Sequence, residues 1–284
     1  MKTQPNKTLV IPNGSLMEKT LELLRRSGLR ITFNGRQAEA MIKGSSLFDK
    51  VVLMRPQAIP MAVEKGFAVA GITGGDWRAE SGLESVLPVV CELEFGRSQN
   101  RSPRIVVISD RTWERVKDAS WFTVYAEYPN LARRIFKESQ IIFSPGSTEI
   151  MIKLGLYNFG VVVADSGRTI DENDLVILDE IMVSPVVFIA KQLSDDLLSM
   201  GQVLRGALKA KEQQLFKCNV GREKLGAVVA ILPSLGSPTV SNLADGSCSV
   251  EAVIGKNEDI LKLISDVNRA GGKDILLSDL GVVL

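Results

Sequence analysis

Short apolar segments of strand length alternate with helical segments along most of the chain, and this alternation restricts the fold more than any other feature. The first predicted strand is 8–11, and a predicted helix over 16–27 follows it, with Ser15 as its N-cap and Gly28 at its end. Alternation of this kind predicts α/β domains with parallel sheets. The pattern also predicts strands at 51–54, 69–72, 104–108 and 141–143, helices at 59–65, 130–138 and 147–154, and a turn at 73–76.

The C-terminal part of the chain shows a different order of elements. After a long helical pattern at 191–211, the predicted elements follow the order β-α-β-β-α-β, which indicates a small ferredoxin-like domain. Such domains often bind small effectors or contact other subunits, although the fold alone does not decide between these roles. The elements are strands at 215–219, 239–243, 248–254 and 275–279, and helices at 222–232 and 258–270.

Histidine is absent from all 284 residues. This absence excludes His-based catalytic triads, His metal ligands and a His general base. An enzyme built from this sequence must therefore use carboxylates, backbone donors, Arg, Lys or a loosely held metal, which suits reactions driven by positioning and charge stabilisation. The three cysteines, Cys91, Cys218 and Cys248, lie far apart without a zinc-binding spacing, so we expect buried free thiols.

Charge and hydropathy limit the partners and the location that the sequence predicts. The net charge is +1 and the basic residues are scattered, so no nucleic-acid partner is expected. No segment approaches the roughly 18 consecutive apolar residues of a transmembrane helix, so no membrane partner is expected. The N-terminal segment has no long apolar core and no small-residue cleavage site, which favours a cytoplasmic protein.

A polar turn follows directly after an apolar run near the middle of the chain. The run 161–164 has the composition of a strand that is buried on both faces. The turn combines a flexible glycine, two hydroxyls, an arginine and backbone N–H groups, which together suit a phosphate group. An ordinary surface loop has a similar composition, so this motif needs support from the rest of the chain. The residues of the turn are Asp165, Ser166, Gly167, Arg168 and Thr169.

Several motifs occur together in an order that one family shares. They are Gly71-Ile72-Thr73-Gly74 with Asp76, Glu94-Phe95-Gly96-Arg97, Tyr128-Pro129-Asn130-Leu131 with Arg133 and Arg134, Glu149, Gly155, and Ser166-Gly167-Arg168-Thr169-Ile170. Further motifs, nearer the C-terminus, are Leu232-Pro233, Ser237-Pro238-Thr239 and Leu243-Ala244-Asp245. On these motifs the chain resembles the long form of ATP phosphoribosyltransferase, the first enzyme of histidine biosynthesis, over almost its whole length.

The resemblance implies a fold and a domain organisation. The expected catalytic body is α/β, with two lobes of the type II periplasmic-binding-protein kind, and the expected regulatory domain is ferredoxin-like (ACT-like). Lobe I would comprise residues 1–97 and 180–205. Lobe II would comprise 98–179 and would hold the phosphoribosyl pyrophosphate loop. The regulatory domain would comprise 206–284.

The resemblance also implies a reaction, in which N1 of the adenine of ATP attacks C1′ of phosphoribosyl pyrophosphate and pyrophosphate leaves. Mg²⁺ would be bound to the substrate, with no metal site made by side chains. The catalytic residues would be Glu149 and Arg168, and the phosphoribosyl pyrophosphate-binding residues Asp165, Ser166, Gly167, Arg168 and Thr169. The ATP-binding residues would be Asn13, Gly14, Arg55, Thr73 and Asp76.

Regulation is a further implication of the resemblance. Histidine would inhibit the enzyme through the C-terminal domain, and the chain would form a homo-oligomer that exchanges between dimer and hexamer. The matching effector residues are Ser237, Thr239, Leu243 and Asp245.

Each of these site residues also has an ordinary structural interpretation. Glu149 would be favourable in the first turn of a helix because of the helix dipole. Asp76 could cap the segment that follows it. Arg168 could be a solvated loop charge, and Arg97 a structural or intersubunit residue.

The chain departs from the family pattern at several positions. The family's first loop usually has a lysine and an arginine where this chain has Asn13 and Ser15, and an acidic residue usually stands at the position of Val162. Each charge-assisted hydrogen bond contributes about 1.5–3 kcal/mol, so losing two cations predicts binding or turnover weaker by roughly two to four decades. Further departures are Ala58, Val69-Ala70 and Asp165.

Two interpretations of these departures remain open. One is a divergent but active enzyme, in which Arg36, Arg55 or Arg97 replaces the lost charges. The other is a catalytically degenerate paralogue that serves as a ligand-binding or regulatory subunit. A two-lobed body with a ligand cleft also fits solute-binding and effector-sensing proteins, although the transferase-like motifs and the lack of a signal peptide argue against a periplasmic receptor.

Overall fold

The computed structural model describes residues 6–33, 37–95, 102–110, 122–165 and 167–284. It divides into two compact units, one ending at Gln202 and the other spanning Val203–Leu284. The strands of the first unit are β1 (Thr8–Pro12), β2 (Arg30–Phe33), β3 (Glu39–Lys43), β4 (Lys50–Met54), β5 (Ala70–Gly74), β6 (Val89–Leu93), β7 (Arg104–Ser109), β8 (Thr123–Ala126), β9 (Gln140–Phe143), β10 (Phe159–Ala164), β11 (Val176–Val183) and β12 (Val186–Ala190).

Short helices follow several of these strands, as the alternating pattern predicts. The described helices of the first unit are α1 (Met17–Arg26), α2 (Ile59–Glu64), α3 (Gly75–Glu80), α4 (Pro129–Ile135), α5 (Thr148–Lys153) and α6 (Arg168–Glu172). A seventh helix, α7 (Asp195–Lys211), contains the boundary between the two units. The strands form two separate sheets, so the first unit has two lobes.

Lobe I contains a seven-stranded sheet with the order β2-β3-β4-β1-β5-β12-β6. The central strands β4, β1 and β5 are parallel, and β12 runs antiparallel to both β5 and β6. Apolar side chains from the strands and from α2 fill its core, with Val10, Ile59 and Ile189 fully buried. The carboxyl ends of three neighbouring strands therefore share one edge of this sheet.

Lobe II contains a five-stranded sheet with the order β11-β7-β10-β8-β9. Strands β10, β8 and β9 are parallel, whereas β7 runs antiparallel to β10 and to β11. One core cluster lies around Phe159 and Tyr128, and a second one lies around Val162 and Ile170. Here too, three parallel strands end at one edge.

The chain crosses between the lobes in two segments that contact each other. One crossing is at Ser184-Pro185, between β11 and β12, and the described end of the other is Ser102-Pro103, directly before β7. The N–H group of Ser184 donates a hydrogen bond to the carbonyl oxygen of Pro103 at 2.8 Å. The crossing segments are therefore tied together, as in a two-stranded hinge.

The second unit is a four-stranded antiparallel sheet with two helices. Its strands are β13 (Gln213–Val220), β14 (Thr239–Asn242), β15 (Cys248–Gly255) and β16 (Gly272–Asp279), and its helices are α8 (Leu225–Ile231) and α9 (Ile260–Arg269). The strand order is β14-β15-β13-β16. One face of the sheet packs against the helices through Phe216, Cys218 and Val250. The predicted ferredoxin-like arrangement is confirmed.

The sequence-based prediction of the first unit is right in its class and wrong in some details. The two-lobed α/β class is confirmed, but the sheets are mixed and not purely parallel, because β12 runs antiparallel to β5 and β6 in lobe I, and β7 runs antiparallel to β10 and β11 in lobe II. The predicted turn at 73–76 is wrong, since β5 extends to Gly74 and α3 begins at Gly75. The predicted Ser15 cap is also wrong, because Ser15 lies in a 3-10 turn and Leu16 occupies the N-cap of α1.

Two other predictions concern the cysteines and the membrane. Cys91, Cys218 and Cys248 are buried free thiols, as predicted. Burial raises the pKa of the Cys218 thiol. No helix in the described ranges has the length and apolar composition needed to cross a membrane.

Candidate active site

The predicted ATP-binding residues come together at the carboxyl-end edge of the lobe I sheet. Asn13 follows β1, Arg55 follows β4, and Thr73 lies near the end of β5. The N–H group of Asn13 donates to the carbonyl oxygen of Met54 at 2.9 Å, and the Thr73 hydroxyl donates to the carbonyl oxygen of Pro56 at 2.8 Å. In open α/β sheets, ligands bind outside the carboxyl ends of the parallel strands. This edge is therefore a candidate half-site.

The groups at this edge differ in how accessible they are to a ligand. Gly14 and Arg55 are exposed and Asn13 is half-buried, whereas Thr73 is fully buried. Gly14 has a φ of 74°, a left-handed conformation that favours glycine. Arg55 therefore places an exposed cation beside the loop that contains Asn13 and Ser15. Arg36 and Arg97, the other predicted substitutes, lie outside the described residues.

Asp76 occupies a different environment from the other predicted ATP-binding residues. It lies in the first turn of α3 and is 4% exposed. Its Oδ2 accepts a hydrogen bond from the Tyr128 hydroxyl of lobe II at 2.7 Å, and its N–H group donates to Ser184 Oγ at 2.9 Å. The structure therefore places Asp76 at the contact between the two lobes, beside the hinge.

The predicted residues of lobe II lie at the carboxyl-end edge of its own sheet. Glu149 is in the first turn of α5, which follows β9 through a turn with left-handed Ser147, and its side chain is half-buried. The phosphate loop follows β10 at the same edge, because β8, β9 and β10 are parallel. Glu149 and the predicted phosphate loop thus share one edge.

The phosphate loop turns into a helix at its predicted glycine. Gly167 adopts φ 79° at the N-cap of α6, and the first hydrogen bond of this turn runs from Ile170 N to Gly167 O at 3.0 Å. Arg168 is strongly exposed and forms a 2.7 Å ion pair from Nε to Oε1 of Glu172. Thr169 is exposed, Asp165 is half-buried, and Ser166 lies outside the described residues. The loop therefore presents a cation and hydroxyl to solvent.

A buried polar cluster at the same edge was not predicted from the sequence. The hydroxyls of Ser144 and Thr148 are 2.7 Å apart, and Thr148 Oγ1 donates to Glu127 Oε1 at 3.4 Å. Glu127 follows β8 directly, and Ser144 follows β9. They follow two neighbouring parallel strands, but the sequence-based prediction did not include β8, so it could not bring them together. The cluster holds the start of α5, and so positions Glu149.

The surroundings of Val162 account for an apolar residue where the resemblance predicts an acidic one. It is 1% exposed and packs in an apolar cluster with Val106, Ile152 and Ile170. No described polar group in that cluster would pair with a carboxylate, so an apolar residue fits this environment.

The predicted effector residues of the second unit fall in two places. Ser237 and Thr239 line a groove of about 320 Å³ together with Leu215, Leu235 and Glu251. Asp245 lies in the turn between β14 and β15, where its Oδ1 accepts hydrogen bonds from Ser247 N and Ser247 Oγ. These hydrogen bonds lower the pKa of the Asp245 carboxyl. Leu243 belongs to the same turn, through the bond from Leu243 N to Ser247 O.

Within the described ranges, no three His, Cys, Asp or Glu side chains converge as a metal site would require.

Comparison with known proteins identifies the family. The family model for ATP phosphoribosyltransferase matches residues 55–206, and the model for the HisG C-terminal domain matches residues 210–281. The chain belongs to the ATP phosphoribosyltransferase family. The matched regions place it in the long form, and they confirm the predicted enzyme class.

Individual relatives agree with this assignment. An ATP phosphoribosyltransferase of Nitratidesulfovibrio vulgaris (strain Miyazaki F) is 31% identical, covering 96% of this chain and 97% of that protein. ATP phosphoribosyltransferase 1 of Geobacter sulfurreducens is 30% identical, covering 94% of each. The solved ATP phosphoribosyl transferase (HisG:HisZ) complex from Thermotoga maritima matches with a TM-score of 0.60 and 23% identity, over 71% of this chain and 98% of that one. This structural likeness supports the fold.

Proposed function

We propose that this chain transfers the phosphoribosyl group of phosphoribosyl pyrophosphate to N1 of ATP, giving phosphoribosyl-ATP and pyrophosphate. The family belongs to the first step of histidine biosynthesis, and its match spans both lobes. The observation that carries the proposal is the placement of both predicted substrate sites at the carboxyl ends of parallel strands. The two edges meet where Asp76 contacts Tyr128.

ATP would bind at the lobe I edge. The Asn13–Gly14 loop offers a backbone without a bulky side chain, and Arg55 offers a guanidinium that can form paired hydrogen bonds with phosphate oxygens. Thr73 is buried and already bonded to Pro56 O, so it would support the turn that carries Arg55. Arg55 would supply part of the phosphate binding that the resemblance assigns to two cations in the first loop.

Phosphoribosyl pyrophosphate would bind at the lobe II edge. The N–H groups at the start of α6 and the Arg168 guanidinium would hold its 5-phosphate. Arg168 would exchange its exposed partner Glu172 for the phosphate, at small cost because exposed ion pairs contribute only about 0–1 kcal/mol. Mg²⁺ would arrive on the pyrophosphate and neutralise the charge that develops on the leaving group.

Glu149 would act on the ribose. As C1′ loses pyrophosphate, positive charge develops on the sugar, and a carboxylate beside the ring stabilises that charge and accepts hydrogen bonds from the ribose hydroxyls. No protein nucleophile and no histidine is needed for direct attack by adenine N1, which agrees with a composition that lacks histidine.

The test is a turnover assay with a variant at the lobe I edge. Purified protein with ATP, phosphoribosyl pyrophosphate and Mg²⁺ should form phosphoribosyl-ATP, followed by its ultraviolet absorbance. Arg55→Ala should raise the KM for ATP roughly ten-fold or more, since a charged hydrogen bond contributes about 1.5–3 kcal/mol. Arg25→Ala removes an equally exposed cation from α1 of the same lobe and should leave KM unchanged.

Two results would count against this proposal in different ways. A folded wild-type protein without turnover would favour the degenerate ligand-binding or regulatory paralogue. Turnover with an unchanged KM in Arg55→Ala would keep the enzyme but remove Arg55 from the ATP site.

The same proposal includes inhibition by histidine at the second unit. The groove with Ser237 and Thr239 offers two hydroxyls, and Glu251 adds a carboxylate suited to an ammonium or imidazolium group. Glu251 is paired with Lys217 at 2.7 Å, so a zwitterion could find both charges there. Leu243 and Asp245 would act only by shaping the neighbouring turn. We expect the chain that histidine inhibits to be a homo-oligomer, either a dimer or a hexamer.

Calorimetric titration with histidine tests the effector site. The wild-type protein should bind histidine with a measurable heat at submillimolar to millimolar concentration. Thr239→Val should weaken binding by roughly two- to ten-fold, because a neutral hydrogen bond contributes about 0.5–1.5 kcal/mol. Ser241→Ala, on the same strand but outside the groove, is the matched control. Absence of heat at millimolar histidine would contradict the effector proposal.

A further inference from the structure

A set of contacts joins α3 of lobe I to α4 of lobe II beside the hinge. We call it the α3–α4 clamp and define it by Asp76, Glu80, Tyr128, Asn130 and Arg134. Both Glu80 carboxylate oxygens accept backbone N–H groups at the start of α4, from Asn130 and Leu131, each at 2.9 Å. Arg134 donates to Ala79 O at 3.0 Å and pairs with Glu84 at 2.6 Å. The two helices are therefore bonded along their length.

The buried end of the clamp is the pair of Asp76 and Tyr128. Tyr128 is 1% exposed, and its ring lies against that of Trp77 with centroids 4.7 Å apart. Its hydroxyl reaches Asp76 Oδ2 at 2.7 Å. The bond is therefore a short hydrogen bond between two buried groups, shielded from water.

The other carboxylate oxygen of Asp76 also has a defined place. A Cβ atom added to Gly74 would lie 2.0 Å from Asp76 Oδ1, so the carboxylate rests against a backbone position that carries no side chain. The N–H group of Gly75 donates to Pro185 O at 2.8 Å, and that of Asp76 donates to Ser184 Oγ. The start of α3 is thus bonded to a hinge segment, and the Asp76 side chain points to lobe II.

From this geometry we infer that Asp76 and Tyr128 are positioning residues, which fix the spacing of the two substrate edges during phosphoribosyl transfer. Asp76 follows β5 at the edge of lobe I, and Tyr128 follows β8 at the edge of lobe II. Their hydrogen bond is the buried contact that holds the two edges at one spacing. Asp76 acts through Tyr128 and does not contact ATP. This inference rests on the proposed function, because the spacing matters for a reaction between two bound substrates.

Tyr128→Phe tests the hydrogen bond between Tyr128 and Asp76, since it removes the hydroxyl and keeps the ring against Trp77. Each substrate is bound by its own lobe, so the expected result is a kcat lower by roughly ten-fold with both KM values within about two-fold. Asp76→Asn keeps an oxygen acceptor for Tyr128 and should retain most of the kcat that Asp76→Ala loses. Tyr157→Phe removes a half-buried tyrosine hydroxyl elsewhere in lobe II and should leave kcat unchanged.

A second measurement does not depend on activity. Spin labels at Met61→Cys in lobe I and Leu154→Cys in lobe II, both exposed positions, report the distance between the lobes. The wild-type background should give a narrow distance distribution, and Tyr128→Phe a broader one. Thermal unfolding of each variant checks that it is folded. The double variant Asp76→Asn with Tyr128→Phe leaves no unpaired buried charge and should match Tyr128→Phe in both readouts.

Two outcomes would overturn the inference. The first is an unchanged distance distribution in Tyr128→Phe. The second is a raised KM for ATP in Asp76→Asn while Tyr128→Phe keeps its kcat, which would make Asp76 a nucleotide ligand. If the wild-type protein shows no turnover, the proposed function fails, but the distance distribution still decides whether the clamp sets the lobe spacing.

Discussion

Replacing Glu149 by alanine is expected to lower kcat about a hundred-fold. Glu149 stands in the first turn of α5, where the buried Ser144 and Thr148 hydroxyls and the half-buried Glu127 hold the helix start in place. A carboxylate that stabilises charge formed only in the transition state affects kcat more than KM, and removing one such group typically costs about 10²–10³ in rate. Initial-rate kinetics with both substrates varied measures the two parameters separately.

Arg168→Ala is the companion variant at the same edge, with a different expected signature. It should raise the KM for phosphoribosyl pyrophosphate by about ten- to a hundred-fold, because a phosphate loses a charged hydrogen bond worth about 1.5–3 kcal/mol. Glu172→Gln removes the exposed ion pair of Arg168. It should lower the KM for phosphoribosyl pyrophosphate by a few-fold at most, because an exposed ion pair contributes only about 0–1 kcal/mol.

Lys153→Ala is the control for both variants. Lys153 lies on the same helix as Glu149 and pairs at 3.3 Å with the exposed Asp174, so its loss should change neither kcat nor KM. A Glu149→Ala enzyme with wild-type kcat would show that Glu149 only stabilises the helix start, in which case the variant would unfold at lower temperature without losing rate.

The sequence pattern was sufficient for the α/β class and for the edge of each sheet on which the candidate site lies. The strands that it identified include β1, β4 and β10, which lie at the centres of the sheets. Burial on both faces requires a continuous run of apolar residues there, and the sequence shows such runs. Residues that follow such strands, including Asn13, Arg55 and Asp165, could therefore be placed at one edge of each sheet before their contacts were known.

Contacts between the lobes could not be predicted in the same way. The pattern missed the strands β2, β3, β6, β8, β11 and β12. The antiparallel pairing of β11 and β12 depends on where the chain crosses between the lobes and not on local composition. The hydrogen bond between Asp76 and Tyr128 could not be predicted either, because the sequence neighbours of Asp76 do not indicate that Tyr128, which is distant in sequence, is its partner. The Glu127, Ser144 and Thr148 cluster was missed for the same reason, since its three members come together only when β8 and β9 pair.

The family's acidic residue at the position of Val162 illustrates how a departure can be structural. In this chain the position faces Val106, Ile152 and Ile170, with 1% exposure. Restoring the acid as Val162→Asp is therefore expected to lower the free energy of unfolding by about 3–5 kcal/mol, the typical cost of an uncompensated buried charge. For a unit of this size the melting temperature would fall by roughly 6–20 °C.

The pH dependence of Val162→Asp separates charge burial from a simple packing defect. Burial raises the pKa of the introduced carboxyl in the folded state above its unfolded value of about 3.9, so the folded state binds the extra proton more tightly. The penalty is then small below about pH 3.9 and grows as the pH rises through the folded-state pKa. Val162→Asn has nearly the same shape without a titrating group, so its loss of stability should not depend on pH in this way. Thermal unfolding of both variants relative to the wild-type protein, from pH 4 to pH 8, measures the difference. If the stability of both variants depends on pH in the same way, residue 162 contacts solvent or a cation. The valine would then be a change within the substrate site and not in the apolar core that supports it.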